Sequence, residues 1–539
     1  MQNHKPMAQQ EVDDWPICNQ QRCMPITPSL HTVSTNSSLS LVSHEKEKLS
    51  FAVPLFIRIA VEEKGLHVDR LGNVTWKPNS SIHPRNWPIS RKCFDTALIC
   101  FLECLTTLIS NTGSSTAGQT YQLFGISKQL ALASFTFSYL IGQAIGGLLL
   151  PPISETFGGR TIYVVTTALY SVGNLLIGAF PVLPVVVTCR FCCGFFSAMP
   201  GTVAAGSLEN MWSVRSRIWT IHLWIVSAVL GISLGPSVAT FISTSTLGWR
   251  WVYMLAGLLA AGAAALCLHM KESRPSRILR QEIQLIQAET GYDGLYSEDY
   301  GVSIDIKTFC HTTLLLPIRL FFTEPIVMLT SVMAATVYAI IYVFPEALPT
   351  VYSDFGFTAR ETSLVNLAIA AGIPLTFLPR LLDIRIADRY KQKGQLEEPE
   401  HKISGFVIAA PILAIAFWIF GASVPPLQTH MTPWISIACL AGVGFATIEF
   451  DCVLSGYLTD SYSSYAASAN APMSFLRAAL SGIFPLFAGD MFDKLNTNNA
   501  IFVLAAVASF YCLVALWFVR YGKTFREKSP FATRVATAC

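Results

Sequence analysis

Charge is what this sequence has least of. Only 13% of its 539 residues are Asp, Glu, Lys or Arg, while 52% are hydrophobic. Soluble globular chains carry about 25% charged residues, and half that density cannot cover a surface of this size. A large soluble core is therefore excluded as the organising principle. The formal net charge of +3 is too small to argue for nucleic acid, and no zinc-finger or RNA-binding pattern accompanies it. No H-x-x-x-H iron cluster and no nucleophile elbow sits in the connecting segments, so no enzyme is indicated. The Gly-Lys-Thr of FVRYGKTF (518–525) lacks the preceding glycine of a phosphate loop, which disfavours an ATP-driven machine. A disulfide framework is missing too. Of 14 cysteines, Cys100, Cys104, Cys189, Cys192, Cys193, Cys267, Cys439, Cys452 and Cys512 lie inside apolar segments, where the thiol behaves as a small hydrophobe. Cys189 and Cys192 form a C-x-x-C without histidine partners. No metal or other cofactor is expected. The start, MQNHKPMAQQEVDDWPICNQ, has no basic-then-apolar leader, so a cleavable signal peptide is not expected.

What the chain does have is a series of apolar windows of about 20 residues, the length that spans a bilayer as a helix. The first half gives 96–116, 131–151, 162–180, 183–206, 219–241 and 250–269; the second gives 324–346, 363–384, 403–422, 434–457, 466–489 and 499–519. Two windows are weaker, 434–457 with Glu449 and Asp451, and 466–489 with Arg477. An all-α, twelve-helix membrane protein is expected, as two bundles at 93–270 and 323–522. Residues 1–92 read as a polar, Ser-rich and largely disordered tail, with a short packed helix or strand within 49–68. In the charged interval 271–322, Ile278, Leu279, Ile283 and Ile286 recur near helical spacing beside basic residues, which fits either a helix on the inner membrane surface or a solvated connector. A short tail, 523–539, ends the chain.

Lys and Arg positions test the orientation. Of 37, eleven precede the first window and two, Arg190 and Arg477, fall well inside windows, those at window edges being counted with the adjoining connection. With a cytoplasmic N-terminus, twenty more fall on the inner side and only four, Lys128, Arg250, Arg360 and Lys494, on the outer. Both termini are therefore expected in the cytosol. The sequons at Asn36, Asn73 and Asn79 would then lie away from the glycosylation machinery.

One charged interruption is distinctive. GGLLLPPISETFGGRTIYVV (146–165) halts between windows two and three for one carboxylate and one guanidinium. It resembles the signature loop of the major facilitator superfamily, on Gly147, Glu155, Gly158 and Arg160. Further matches follow in order: RFCCGFFSA (190–198); GISLGPSVATFI (231–242), similar to an antiporter motif on Gly231, Gly235 and Pro236, with Ala239 and Thr240 replacing its final glycines; LGWRWVYML (247–255); KESRPSRIL (271–279); FFTEPIV (321–327); and YLTDSYSSYAASANA (457–471) followed by Arg477 and FPLF (484–487). Together they resemble the fungal twelve-span drug:proton antiporter family over about residues 86–530.

The residues set out candidates. A carboxylate at the edge of the low-dielectric region, Glu155, can form a latch by pairing with a basic group on a neighbouring helix; an ordinary tight turn is the plainer reading. Ionisable groups inside a bilayer are functional candidates by default. Glu103 could load and unload a proton, or serve as a structural hydrogen-bond acceptor. Arg190, expected to face the cavity on the resemblance, could bind an anionic group or only order helices. Glu449 and Asp451, two apart, point to different faces of one helix, and Arg477 could pair with either. Asp460, near Tyr462, is placed to serve a second latch. Trp224, Tyr338, Tyr342, Trp418 and Phe475 lie inside windows, where aromatic walls suit broad apolar or cationic substrates, though most such rings only pack.

The resemblance implies proton-coupled export of a small organic molecule, a drug, toxin or secondary metabolite, by a monomer that alternates access in the plasma membrane, the vacuolar membrane being second. The alternative is a facilitator-type importer of a small nutrient such as a polyamine or vitamin, against which the GISLGP motif argues. The partners expected are the substrate, the proton and the lipid bilayer.

Overall fold

The computed structural model describes residues 53–297, 315–393, 399–427, 432–462 and 466–529. Among them, twelve helices are long and apolar enough to cross a membrane by length and composition. Spans 1 to 6 are Ile89–Thr120, Lys128–Glu155, Gly159–Ala179, Leu183–Met211, Arg215–Ser243 and Arg250–Cys267; spans 7 to 12 are Pro325–Ser353, Ala359–Tyr390, Ser404–Ser423, Pro433–Ser461, Ala466–Leu495 and Thr497–Lys528. Both charge-bearing windows of the second half are full spans. The even number puts the start of span 1 and the end of span 12 on one face, termed the near face; the opposite one is the far face.

Spans 1 and 5, 2 and 4, and 3 and 6 pair closely in the first bundle, and 7 with 11 and 9 with 10 and 12 in the second. The bundles meet along two seams, span 2 against span 11 and span 5 against the broken first half of span 8. Two irregularities shape them. Span 2 contains a π-helical turn at Ala133–Phe137. Span 8 is segmented into Ala359–Val365, Leu367–Ala370, a 3-10 turn Ile373–Thr376 and Phe377–Gln392. Pro374 removes a backbone donor there, and Gly372 lies so close to the span 10 backbone at Ala441 and Phe445 that a methyl group would collide with it.

The near face carries more than a tail. Leu55–Glu63 forms a helix, and Leu66–Val68 pairs antiparallel with Val74–Trp76. The hairpin turns through Gly72 at φ 90°, a conformation glycine adopts without strain. Asn73 bridges to Tyr296 across the sequence. Val53, Ile57, Val61, Leu66, Val68 and Val74 share one core with Leu279, Ile283, Ile286 and Leu295. The Pro275–Thr290 helix thus exists, but its apolar stripe is covered by this module and not by lipid. Lys64 adds ion pairs to Glu289 at 3.1 Å and Glu282 at 3.9 Å. The helix and first strand lie within 49–68, the stretch read as a short packed element; residues 69–88 depart from the expected unstructured tail, and the all-helical class holds apart from one small hairpin. Sequon Asn36 lies outside the described residues.

Candidate functional site

A narrow cavity of about 30 Å³, room for a water, lies between the bundles at mid-depth. Glu103, Gln143, Gly147, Gly201 and Thr202 line it from the first bundle; Tyr338, Tyr342, Ser474, Arg477 and Ser481 line it from the second. Glu103 is 5% exposed, and among the described residues its Oε2 has no hydrogen-bond partner. Span 4 comes close at Gly201, where an added Cβ would stand 3.6 Å from that oxygen. Opposite, Arg477 Nη1 donates to both oxygens of Asp451 at 2.8 Å each, and its guanidinium lies 4.9 Å from the centre of the Tyr338 ring. The Arg477–Asp451 pair is neutral as a unit, so Glu103 sets the formal charge of the cavity. A buried carboxyl with an unsatisfied oxygen is costly as an anion; it can meet that cost by taking a proton or by accepting a cationic group.

Tyr342 joins the bundles directly, its hydroxyl 2.7 Å from Ser110 Oγ of span 1. Of the other expected aromatics, Trp224 donates to Pro200 O at 3.0 Å, Trp418 is exposed on the outer surface and donates to Ser509 Oγ, and Phe475 is not among the lining residues.

Arg190 does not face the cavity. It is fully buried within the first bundle. Its Nε donates to Phe135 O at 2.6 Å and its Nη1 to Ile109 O at 3.2 Å, with Nη2 3.5 Å from Ser110 O. Phe135 belongs to the π-helical turn, and such turns rearrange the regular backbone hydrogen bonding of a helix. The rings of Tyr139 and Tyr253 flank the guanidinium at 4.5 and 5.4 Å. Glu449 also stands away from the cavity. It accepts from Arg380 Nη2 at 2.6 Å, while Arg380 Nη1 lies 3.1 Å from Asp383. The charge count placed Arg380 in a connection; it is a buried residue of span 8.

The signature loop ties elements of one bundle. Glu155 is 60% exposed on its side chain and meets Arg274 at 3.4 Å, a surface pair of little energy. The buried half of the arrangement belongs to Glu272. Its Oε2 accepts from the backbone N–H of Arg160 at 3.2 Å, and its Oε1 from that of Arg274 at 3.1 Å. Arg160 Nη2 reaches Leu268 O at 2.8 Å. Gly158 at φ 90° makes room, since a Cβ there would stand 2.6 Å from Glu272 Oε2. Gly147 lines the cavity and takes no part in the loop. In the second bundle Asp460 pairs with Lys402 at 2.8 Å in an exposed position. Tyr462 donates to the buried Glu324 at 3.0 Å. Glu272 and Glu324 were legible only as letters within their motifs.

The antiporter motif has a packing role that its small residues predict. A Cβ on Gly231 would collide with Cys104 O and Thr107 Oγ1, and one on Gly235 would stand 2.5 Å from Leu108 O. Asn111 Nδ2 donates to Ile232 O at 2.8 Å between them. Spans 1 and 5 are thus in backbone contact, which brings Glu103 against its bundle.

The seams are pinned at several depths. At the far face Lys128 meets Glu346 at 2.9 Å and Arg360 donates to Thr244 Oγ1 and O at 2.9 and 3.1 Å. Deeper, Ser237 donates to Ser363 O at 2.8 Å and Thr376 lies 3.0 Å from His222 Nε2. Towards the near face Arg215 and Asp388 approach to 3.6 Å, both exposed.

The comparisons with known proteins agree with this architecture. The sequence profile of the major facilitator superfamily matches residues 99–485. The chain is 28% identical over 463 residues to Multidrug transporter TPO1_2 of Candida glabrata, covering 84% of this chain and 78% of that protein. It is 28% identical over 474 residues to Efflux pump radE of Floropilus chiversii, covering 86% of each. Among solved structures, the proton:xylose symporter XylE bound to 6-bromo-6-deoxy-D-glucose superposes with a TM-score of 0.57 at 18% identity, over 80% of this chain and 97% of that one. That likeness speaks for the fold alone. Twelve spans, a mid-depth cavity between two bundles and a profile match over most of the length lead to one conclusion: the chain is a multi-pass membrane protein belonging to the major facilitator superfamily, a family of transporters and not of enzymes.

Proposed function

We propose that this protein exports small organic molecules, drugs, toxins or secondary metabolites, in exchange for protons. It would act as a monomer in the plasma membrane, with its near face in the cytosol. The names of its relatives support the direction and the cargo: Multidrug transporter TPO1_2, Efflux pump radE and the multidrug transporter FLU1 of Candida albicans. Bundles that rock about a midplane site are the way such folds alternate access. The observation that carries the reading is Glu103, buried with one carboxylate oxygen unpartnered among the described residues, across the cavity from the Arg477–Asp451 pair. Protonated, Glu103 leaves the cavity neutral. Deprotonated, it competes with Asp451 for Arg477 and draws the two bundles together at that depth. One charge change thus biases the seam, which is what coupling requires.

The test is efflux of a fluorescent organic dye from proteoliposomes under an imposed pH gradient. Glu103→Gln, which mimics the protonated carboxyl, is expected to abolish pH-driven accumulation while retaining downhill dye exchange. Asp451→Asn should weaken both, because it frees Arg477. If Glu103→Gln kept full pH-driven transport, Glu103 would not be the coupling group.

A further inference from the structure

Glu346 is a buried carboxylate that the cavity does not use. It sits in the far third of span 7, 7% exposed, and its Oε2 meets the ammonium of Lys128, the first residue of span 2, at 2.9 Å. Span 2 belongs to the first bundle and span 7 to the second, so this contact crosses the seam. The lysine side chain is 49% exposed while the carboxylate side is 4% exposed, so solvent at the far face reaches the pair through its cationic end. The other charged groups at the far ends of elements packed on span 7 are elsewhere engaged or exposed. Arg360 of span 8 is held on Thr244, and Asp490, Asp493 and Lys494 of span 11 are exposed on the surface. Among the described residues, Lys128 is the ion-pair partner of Glu346.

We propose that Glu346 is a second proton-binding group, at the far face, whose occupancy sets whether the far side of the bundles is shut: ionised Glu346 holds Lys128 and closes it, and a proton taken from the far-face solution onto the Glu346 carboxylate releases Lys128 and lets it open. The proton ends on a carboxyl oxygen, Lys128 stays an ammonium and moves into water, and no other group changes state. The geometry gives the sign. With the carboxyl neutral, the charge-assisted bond across the seam becomes an ordinary one, while the neutral contacts Ser110–Tyr342 and Ser237–Ser363 are untouched. This rests on the reading of the protein as a proton-coupled exporter, in which the far face is where protons enter. Its test needs no substrate and no transport, so it can fail or succeed apart from that reading.

Spin labels introduced through unnatural amino acids at Leu123 and Asp354, both exposed in far-face connections, report the separation of spans 2 and 7 in lipid nanodiscs. On acidification from about pH 8 to about pH 5, the ratio of long to short distances in the wild type is expected to rise roughly tenfold. Glu346→Gln should show the raised ratio at both pH values and no further response. Lys128→Gln/Glu346→Gln, which leaves no charge in the seam, should do the same and serves if the single variant folds poorly. A wild type whose distances ignore pH, or a Glu346→Gln protein that keeps the wild-type response, would overturn the proposal.

Discussion

The two bundles bury their cations by opposite means. In the first, Arg190 is held by backbone carbonyls of spans 1 and 2 and by two tyrosine rings. In the second, Arg380 is held by Glu449 and Asp383, and Arg477 by Asp451. Carbonyls do not titrate, so the Arg190 clamp is indifferent to protons. Carboxylates do, and each second-bundle pair can be broken by one proton. The first bundle has one buried carboxylate pair, Asp95 with Arg91 at 3.0 Å near the start of span 1, but it keeps Glu103 apart from Arg190 and aims it at the partner bundle's Arg477 across the cavity. At the depth of the cavity the first bundle is therefore built as a fixed frame around Arg190, and the proton-sensitive chemistry there is gathered in the second bundle and along the seam.

The comparison is broken most forcefully at Arg380. Arg380→Ala leaves Glu449, whose side chain is fully buried, without a cation, and removing one partner of a buried pair costs about 3–5 kcal/mol. The expected result is a large loss of thermal stability in detergent. The triple change Arg380→Met, Glu449→Leu and Asp383→Asn should regain most of it, because the uncompensated charge is gone. Arg190→Met, the matching lesion in the first bundle, strands carbonyls and no charge. A loss of about 2 kcal/mol is expected, equal at about pH 5 and about pH 8 because nothing that titrates holds the group. A pH-dependent loss would mean that Arg190 has an acidic partner in another state of the transporter. The bundles should not differ in packing. Gly235→Ala drives a methyl group onto Leu108 O in the first, and Gly444→Ala drives one onto Ile369 O in the second; about 1–3 kcal/mol is expected for each, read as matching shifts in melting temperature.

Much of the frame was legible because its signal is long. A twenty-residue apolar window cannot hide, and the number, order and approximate edges of the spans follow from it. Gly231 and Gly235 were legible because backbone contact needs a residue without a side chain. The buried charges were read less well. Arg380, Glu346 and Glu324 lie near the ends of their windows, where a sequence gives no sign of whether a charge dips into the bundle or reaches back to water. Arg190 was placed in the cavity on the family resemblance, and a carbonyl clamp leaves no trace in the letters around it. The module at 53–88 was legible only as a short packed element within 49–68, for another reason. Its elements are short, and the residues that complete its core, Leu279, Ile283, Ile286 and Leu295, lie some two hundred positions away.

The smallest effect separates two carboxylates that the signature loop puts side by side. Glu155 is the one the motif names, yet it is mostly in water, and its ion-pair partner among the described residues is Arg274. Exposed pairs of this kind are worth about 0–1 kcal/mol, so Glu155→Ala should shift the melting temperature hardly at all. Glu272 is half-buried and accepts the Arg160 N–H at the start of span 3, where the helix leaves its first donors unpaired. It does so from beyond the end of span 6, so one side chain closes the near end of spans 2, 3 and 6 together. Glu272→Ala removes a capping acceptor and should cost about 1–2 kcal/mol. The same change should raise hydrogen exchange at the first amides of span 3 and leave spans 8 to 12 unaltered. If Glu155→Ala proved the more damaging, the loop would be acting in a state where Glu155 is buried, and the first bundle would then carry a proton-sensitive contact beyond its Arg91–Asp95 pair.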